Sequence, residues 1–298
     1  MLLLTGATGS IGSRLLPLLL EQGEDVRCLV REPRRLGARR VDVQIALGDL
    51  GEMSDPYLVR QALRGVDLVV HLAASIRDQP PKRIEELNGL ATVRLLRAAE
   101  RSGVESFHFF SALDAQAAQR TRFFRAKWLA EQAVLSSSLR TTVFAPSIVY
   151  DHSDPWITLL RRFSFLPVLP VSGEGRARFQ PIWAEDVARC VVGALARERG
   201  DEARTRRYEL AGPETLDYDQ MSDLVSRIAG RPRPLVHLPL PFVRAGLIAL
   251  RNLFGEAVFA TWEEAELMEV SMTSERGTAD AEELGVEPRK MGDVLEAD

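Results

Sequence analysis

Thr5-Gly6-Ala7-Thr8-Gly9-Ser10-Ile11-Gly12 decides how this chain is read. The apolar run Met1-Leu2-Leu3-Leu4 precedes it, and the helical pattern Arg14-Leu15-Leu16-Pro17-Leu18-Leu19-Leu20 follows. A strand, a turn with glycines three apart and a helix read as a βα turn that receives a dinucleotide. Gly6 permits the tight turn off the strand. Gly9 has no Cβ, so a pyrophosphate can approach the backbone, and Gly12 lets the helix pack close to the sheet. The helix N-terminus offers free amides and a partial positive charge to the phosphates. A glycine triplet alone is a weak signal, and its flanking strand and helix give it meaning.

Outward from this turn, strand and helix patterns alternate. Strands are expected at Val26–Val30, Val43–Leu47, Asp67–Leu72, Ser106–Phe110 and Thr141–Ala145, with helices at Asp55–Leu63, Glu85–Ser102, Arg122–Ser136 and Trp183–Arg197. Such alternation implies a parallel sheet covered on both faces. After Pro146 the sequence becomes rich in Pro, Trp, Phe and Leu, with one further strand at Tyr208–Leu210. The expected organisation is a nucleotide-binding domain over 1–150, completed by 177–200. A smaller α/β lobe over 151–176 and 201–298 covers the carboxyl ends of the strands, where open α/β sheets bind ligands.

Composition narrows the function classes. The chain has 298 residues, 46% hydrophobic and 27% charged, with a net charge of −4. That balance gives no reason to expect nucleic-acid binding. Cys28 and Cys190 are the only cysteines, which excludes a disulfide framework or a CxxC metal site and suits a reducing cytoplasm. Every apolar run is broken by Arg, Glu or Asp, so no membrane span is expected. With the first strand read from Met1, no signal peptide is expected. Only three of the 38 basic residues are lysines, so a lysine at a special position is more telling.

With these pieces in order, the chain resembles the short-chain dehydrogenase/reductase superfamily in its extended and atypical branches. The residues that carry the resemblance are Thr5 to Gly12, Gly48-Asp49-Leu50, His71-Leu72-Ala73-Ala74, Asn88, Ser111, Lys127, Pro146 to Tyr150, Gln180 to Ala188 and Glu283 to Pro288. Ser111-Ala112-Leu113-Asp114-Ala115 with Phe124-Arg125-Ala126-Lys127 is similar to one subgroup, the relatives of the nucleotide-binding accessory subunit of respiratory complex I. The resemblance implies a doubly wound Rossmann fold and assigns roles by position. Gly6, Thr8, Gly9, Ser10, Ile11 and Gly12 surround the pyrophosphate. Asp49 and Leu50 meet the adenine, and Ala73, Ala74 and Ser75 line the cofactor cleft. Lys127 holds the nicotinamide ribose, with Pro146 and Ser147 near the nicotinamide. Tyr150, His152, Trp156 and Phe165 fall in the substrate pocket. Asp186 caps its helix and orders the neighbouring loop.

The cofactor is read from the end of the second strand. An NAD-specific site places Asp or Glu there to accept from the ribose 2′-OH. This chain has Arg31, with Arg34 and Arg35 close behind, and a guanidinium there pairs a 2′-phosphate. NADP(H) is therefore expected, and an inward Glu32 would favour NAD(H).

The reductases of this superfamily use a Tyr four residues before the Lys as proton donor, with a Ser that orients the carbonyl. That position holds Phe123, and no Tyr lies between Tyr57 and Tyr150. Ser111 and Lys127 remain as catalytic candidates. Three readings stay open: a reaction with another proton source (Lys127, Ser111, His152 or Tyr150); a non-catalytic NADPH-binding sensor or assembly factor with a protein partner; or hydride transfer to an acceptor that needs no Tyr. The apolar segments Ile157–Pro170 and Phe242–Ala260 first read as the core of the small lobe. The sharper reading is a lipophilic, isoprenoid- or quinone-like ligand, or peripheral contact with a membrane surface.

Overall fold

The first strand, β1 (Leu2–Thr5), is buried along its whole length. Leu2 and Leu4 enter one apolar layer and Leu3 the other, the pattern of a strand covered on both faces. In this computed structural model, which describes residues 1–51, 56–198, 205–254 and 261–297, β1 is followed by α1 (Ser10–Glu21), β2 (Val26–Val30), β3 (Gln44–Leu47), α2 (Pro56–Leu63), β4 (Leu68–His71), α3 (Ala91–Arg101), β5 (Ser106–Phe110), α4 (Arg122–Leu135) and β6 (Arg140–Pro146). Next come β7 (Val149–Tyr150), α5 (Pro155–Phe163), β8 (Leu169–Ser172), β9 (Arg178–Phe179), β10 (Ile182–Trp183) and α6 (Ala184–Glu198). The chain ends with β11 (Arg206–Leu210), β12 (Leu216–Asp217), α7 (Tyr218–Ile228), β13 (Leu235–Leu238), α8 (Leu240–Phe254), α9 (Trp262–Leu267), α10 (Ala279–Glu283) and α11 (Met291–Glu296).

Seven parallel strands form the main sheet in the order β11-β6-β5-β4-β1-β2-β3. The fold is thus the expected doubly wound α/β sheet. The order reverses between β1 and β4, and the crevice at that switch point is where such sheets take ligands. One face is filled by Leu15, Leu19, Val187 and Val191 from α1 and α6. The other holds Leu63, Leu95, Ala130 and Val134 from α2, α3 and α4. A separate core, with Ile157, Leu160, Val171, Tyr218, Met221 and Leu267, builds the smaller lobe.

Two elements depart from the sequence reading. The strand expected inside the small lobe at 208–210 is β11, which pairs parallel with β6 and closes the large sheet. Tyr208 and Leu210 alternate into the core under α1 and α6, and that burial draws the strand to the sheet. Ala281, Leu284 and Val286 join the same core, so the last part of the chain returns to the nucleotide-binding half. The single helix expected from Glu85 to Ser102 opens instead with a wide π turn over Glu86–Leu90. Such a turn lodges an extra residue, and it carries the buried Asn88. The expected element limits Asp55, Asp201 and Ala260 lie outside the described residues.

Candidate functional site

At the end of β1 the backbone turns through Gly6, at φ 74°. A Cβ on Gly6 would stand 2.7 Å from the amide nitrogen of Ala73 in the loop after β4. A Cβ on Gly12 would stand 2.2 Å from the carbonyl oxygen of Gly6. Packing within the chain therefore accounts for both glycines. Gly9 is different: it is exposed, and its Cβ would meet nothing nearer than the Gly6 carbonyl at 3.4 Å. Packing within the chain does not account for its lack of a side chain. Gly9 is also the residue before α1, has no side chain to cap the helix, and no acid stands in the first turn. Thr8, Ser10 and Ile11, half-buried around it, complete a cradle that fits a pyrophosphate.

Arg31 follows β2 and donates to Gln79 Oε1 at 3.0 Å. β2 and β4 flank β1, so this bond crosses the end of the glycine strand. Asp49 accepts from Lys82 Nζ at 2.9 Å and from the Gly51 amide at 2.8 Å. Burial works to raise its pKa, but the Lys82 and Gly51 bonds and the Arg31 charge outweigh it and hold the carboxyl low. Leu50 is half-buried beside it. Arg31, Lys82 and Asp49 thus stand together where the resemblance puts the adenosine.

The loop after β4 is fixed from below. Asn88 accepts from the Ser75 amide at 3.0 Å and donates to the Ser75 carbonyl at 2.7 Å and the Ile84 carbonyl at 2.9 Å. Thr92 gives its hydroxyl proton to the Asn88 carbonyl at 2.7 Å, so it can only accept from His71 Nε2, at 2.9 Å. His71 Nδ1 then accepts from Thr5 Oγ1 at 2.7 Å, and that oxygen accepts from the Ala73 amide at 3.3 Å. This order of donors sets the His71 tautomer. Burial, assisted by the Lys127 charge, pushes the His71 pKa down to about 3 and keeps the ring neutral. The relay ties the glycine turn to Ala73 and Ser75, and Ala74 between them is exposed.

Lys127 and Ser111 come together, but both are occupied. Lys127 Nζ is buried, donates to the Phe110 carbonyl at 2.6 Å, and lies 5.1 and 5.8 Å from the ring centres of Phe109 and Phe123. Burial lowers its pKa to about 7 against the opposing pull of Glu131. Ser111 donates to Glu131, whose other oxygen accepts from Arg207 Nε on β11 at 2.8 Å. Glu131 was not singled out in the sequence. Its place one helical turn after Lys127 is the signal that could have found it.

Pro146 ends β6, and Ser147 is spent on structure. Its hydroxyl donates to the Met272 carbonyl at 2.7 Å and accepts from the Gln180 amide at 3.0 Å. Asp186 is buried and accepts from the Arg289 amide at 3.0 Å, so it orders the last segment of the chain. A cavity of about 470 Å³ opens beside the loop after β4. Its walls are Ile76, Trp156, Leu159, Phe163, Phe242 and Leu247, among others. Of the four expected pocket residues, only Trp156 reaches it. Tyr150 is wholly enclosed in the core of the small lobe, where burial and then the Asp186 charge raise its pKa. His152 packs against the Trp183 ring, and Phe165 points outward beneath the Arg231 guanidinium. The phenol at the cavity wall is Tyr218, which accepts from Trp156 Nε1 at 3.4 Å. Two acids there are engaged as well: Glu264 with Arg77 at 2.9 Å and Asp154 with the Trp156 amide at 2.7 Å.

A family profile described as NAD(P)H-binding matches residues 6–198, and the chain belongs to that family. An NAD(P)H azoreductase of Xenophilus azovorans is 31% identical over 80% of this chain and 78% of its own length. NADH dehydrogenase [ubiquinone] 1 alpha subcomplex subunit 9 of Arabidopsis thaliana mitochondria is 27% identical over 80% of this chain, which spans 60% of that subunit. Among solved structures, the NADPH-dependent quinone oxidoreductase of Escherichia coli with NADPH bound superposes with a TM-score of 0.73, covering 100% of this chain and 99% of that one at 16% identity, a likeness of fold. Among the described residues no helix is long and apolar enough to cross a membrane, and no acidic, His or Cys cluster could hold a metal.

Proposed function

We propose that the chain is an NADPH-dependent reductase of apolar, conjugated acceptors of the quinone type. The observation that carries this reading is the apolar cavity next to the loop after β4, with Phe123 where a carbonyl reductase keeps its acid. A quinone-like acceptor takes a hydride into a conjugated system, so its oxygens can be protonated by solvent. The balance is acceptor plus NADPH plus one proton giving reduced acceptor plus NADP⁺. NADPH would supply the hydride when bound. The chain's own part is to hold it: the amides around Gly9 at the pyrophosphate, Arg31 at the 2′-phosphate and Lys127 near the ribose. Support for NADPH over NADH comes from Arg31 and from the nearby Lys82 ammonium. The name of the azoreductase relative, a reductase of another conjugated system, agrees.

The test is a fluorescence titration with NADPH and NADH, followed by oxidation of NADPH with a short-chain quinone. Arg31→Ala is expected to cut the preference for NADPH at least tenfold, about 1.4 kcal/mol. Equal affinity for the two cofactors in the wild type would remove the role given to Arg31.

A second reading is favoured by the engagement of Ser111 with Glu131 and of Lys127 with the Phe110 carbonyl. In it the chain binds NADPH and serves a protein assembly without turnover. Tight NADPH binding with no oxidation by any quinone would select this reading over the first.

A further inference from the structure

The chain holds 42 acidic residues in 298, and two stretches that lack them belong to the small lobe. Residues 155–173 carry two arginines and no Asp or Glu, and residues 224–255 carry five arginines and no Asp or Glu. At the chain's average density the two stretches would hold about seven acids. They are neighbours in space, because β8 of the first pairs in parallel with β13 of the second, from Leu169 opposite Leu235 to Ser172 opposite Leu238. Arg233 Nε reaches across to the Ser164 carbonyl at 2.9 Å, and Arg231 lies 3.9 Å above the Phe165 ring.

The same two stretches hold half of the large apolar side chains that stand exposed among the described residues. These are Phe165, Leu166, Val168, Val236, Leu238, Phe242 and Ile248, and Phe242 is 75% exposed. Along α8, Pro241, Phe242, Ala245 and Ile248 are exposed, while Val243 and Leu247 line the apolar cavity. Beside Phe165 a hollow of about 630 Å³ is lined by Arg161, Arg227 and Arg231, with Glu296 its only acid. Arg227 is paired with Asp223 at 2.5 Å.

We propose that this face of the small lobe docks on an anionic phospholipid bilayer, with α8 lying in the interface. Arginines without acids give the attraction to anionic headgroups, and exposed Phe, Leu, Ile and Val give the apolar insertion. A protein surface of this apolar content inside a chain of net charge −4 is otherwise a liability for association. The geometry adds a use: the helix that meets the lipid is also a wall of the cavity, so an apolar ligand can pass from the bilayer along α8 without crossing water.

The docking does not rest on the reductase reading, and its test needs no acceptor. The full chain is mixed with vesicles of phosphatidylcholine, or of phosphatidylcholine with about a third phosphatidylglycerol, and sedimented at low and high salt. Binding is expected to the anionic vesicles at low salt and to fall steeply at high salt. Arg231→Gln is expected to weaken it about fivefold, the effect of one surface charge. The pair Leu166→Glu and Ile248→Glu, both at exposed positions outside the cavity wall, is expected to weaken it more than tenfold while leaving NADPH affinity and the melting temperature in place. Equal binding to neutral and anionic vesicles, no binding to either, or a double variant that binds like wild type would overturn the proposal. A wild-type dimer that the double variant splits, with no lipid binding, would assign the face to a second copy instead.

Discussion

Lys127 shows how much one buried charge controls. Unfolded, a lysine titrates near 10.4, whereas burial in the folded chain lowers Lys127 to about 7, with Glu131 pulling the other way. Between those two values the unfolded chain holds one more proton than the native one, so this residue makes stability rise with pH across that window. Below pH 7 the native protein carries the full penalty of a buried ammonium, and above about 10.4 the penalty is gone. Lys127→Met cannot titrate. Urea unfolding at pH 6.5, 8 and 9.5 should therefore show the wild type gaining on the variant as pH rises, by up to about 1.4 kcal/mol per pH unit. Parallel curves would mean that Lys127 stays charged in the fold. The neighbouring positions bear on carbonyl chemistry. Phe123→Tyr restores a phenol near Lys127, but Ser111 still gives its proton to Glu131. Glu131→Ala frees that hydroxyl, and Arg207 keeps Glu209 at 2.7 Å as a partner. Carbonyl reduction with NADPH should thus be weak in Phe123→Tyr and at least tenfold higher in the double variant, a gain of about 1.4 kcal/mol. Full activity in the single variant would remove the role given to the Ser111–Glu131 bond.

At the scale of elements, the turn from β1 to α1 separates what holds the fold from what holds the ligand. Gly12→Ala would drive a Cβ to 2.2 Å from a backbone oxygen that cannot move without shifting β1 or α1. A loss of about 2–4 kcal/mol is expected, typical of overpacking against rigid backbone. Gly9→Ala has room at 3.4 Å and an extended backbone at φ −84°, ψ 176°. Its stability should change by less than about 1 kcal/mol, while NADPH affinity falls more than tenfold. Unfolding curves and a fluorescence titration on both variants read the two effects apart, and a Gly9→Ala protein with wild-type affinity would move the phosphates elsewhere. This turn was legible in the sequence because its chemistry is local: strand, glycines and helix lie within 20 residues. The strands from β1 to β6 were legible for the same reason, each a short run rich in apolar residues, four of them followed by a helix. The strand at Tyr208–Leu210 was legible too, but its place in the large sheet was not, since its partner is β6, more than 60 residues earlier. The π turn was also hidden, because Asn88 needs the backbone of Ser75 to fix it. Tyr150 and Phe165 could be placed near a pocket by order along the chain, but whether such a ring faces cavity, core or solvent depends on helices α7 and α8, which come much later.

At the scale of the molecule, the last segment clamps the two lobes together. β11 is an edge strand, and an edge needs cover. The Glu209 amide on β11 donates to the buried Asp280 at 2.7 Å, and Glu209 Oε2 accepts from Ser274 Oγ at 2.5 Å. The Met272 carbonyl holds Ser147 at the end of β6, and the Arg289 amide is held by Asp186 on α6. Between these ties, Ala281, Leu284 and Val286 enter the core under α1 and α6. The closest approach is at Gly193, in the middle of α6, where a Cβ would stand 2.1 Å from the Leu284 carbonyl oxygen. In an isolated helix an alanine there would be better by about 1 kcal/mol. In this molecule it has to push the segment around Leu284 off α6 and open both the core and the edge of β11. Gly193→Ala should therefore destabilise by about 2–4 kcal/mol, and proteolysis should cut first between Met272 and Met291. Three strands, β6, β5 and β4, separate β11 from the strand that carries the glycine turn, so the folded fraction should still bind NADPH as wild type does. A variant as stable as wild type, or more so, would mean that Gly193 is an ordinary helix glycine and that the last segment is free to lift.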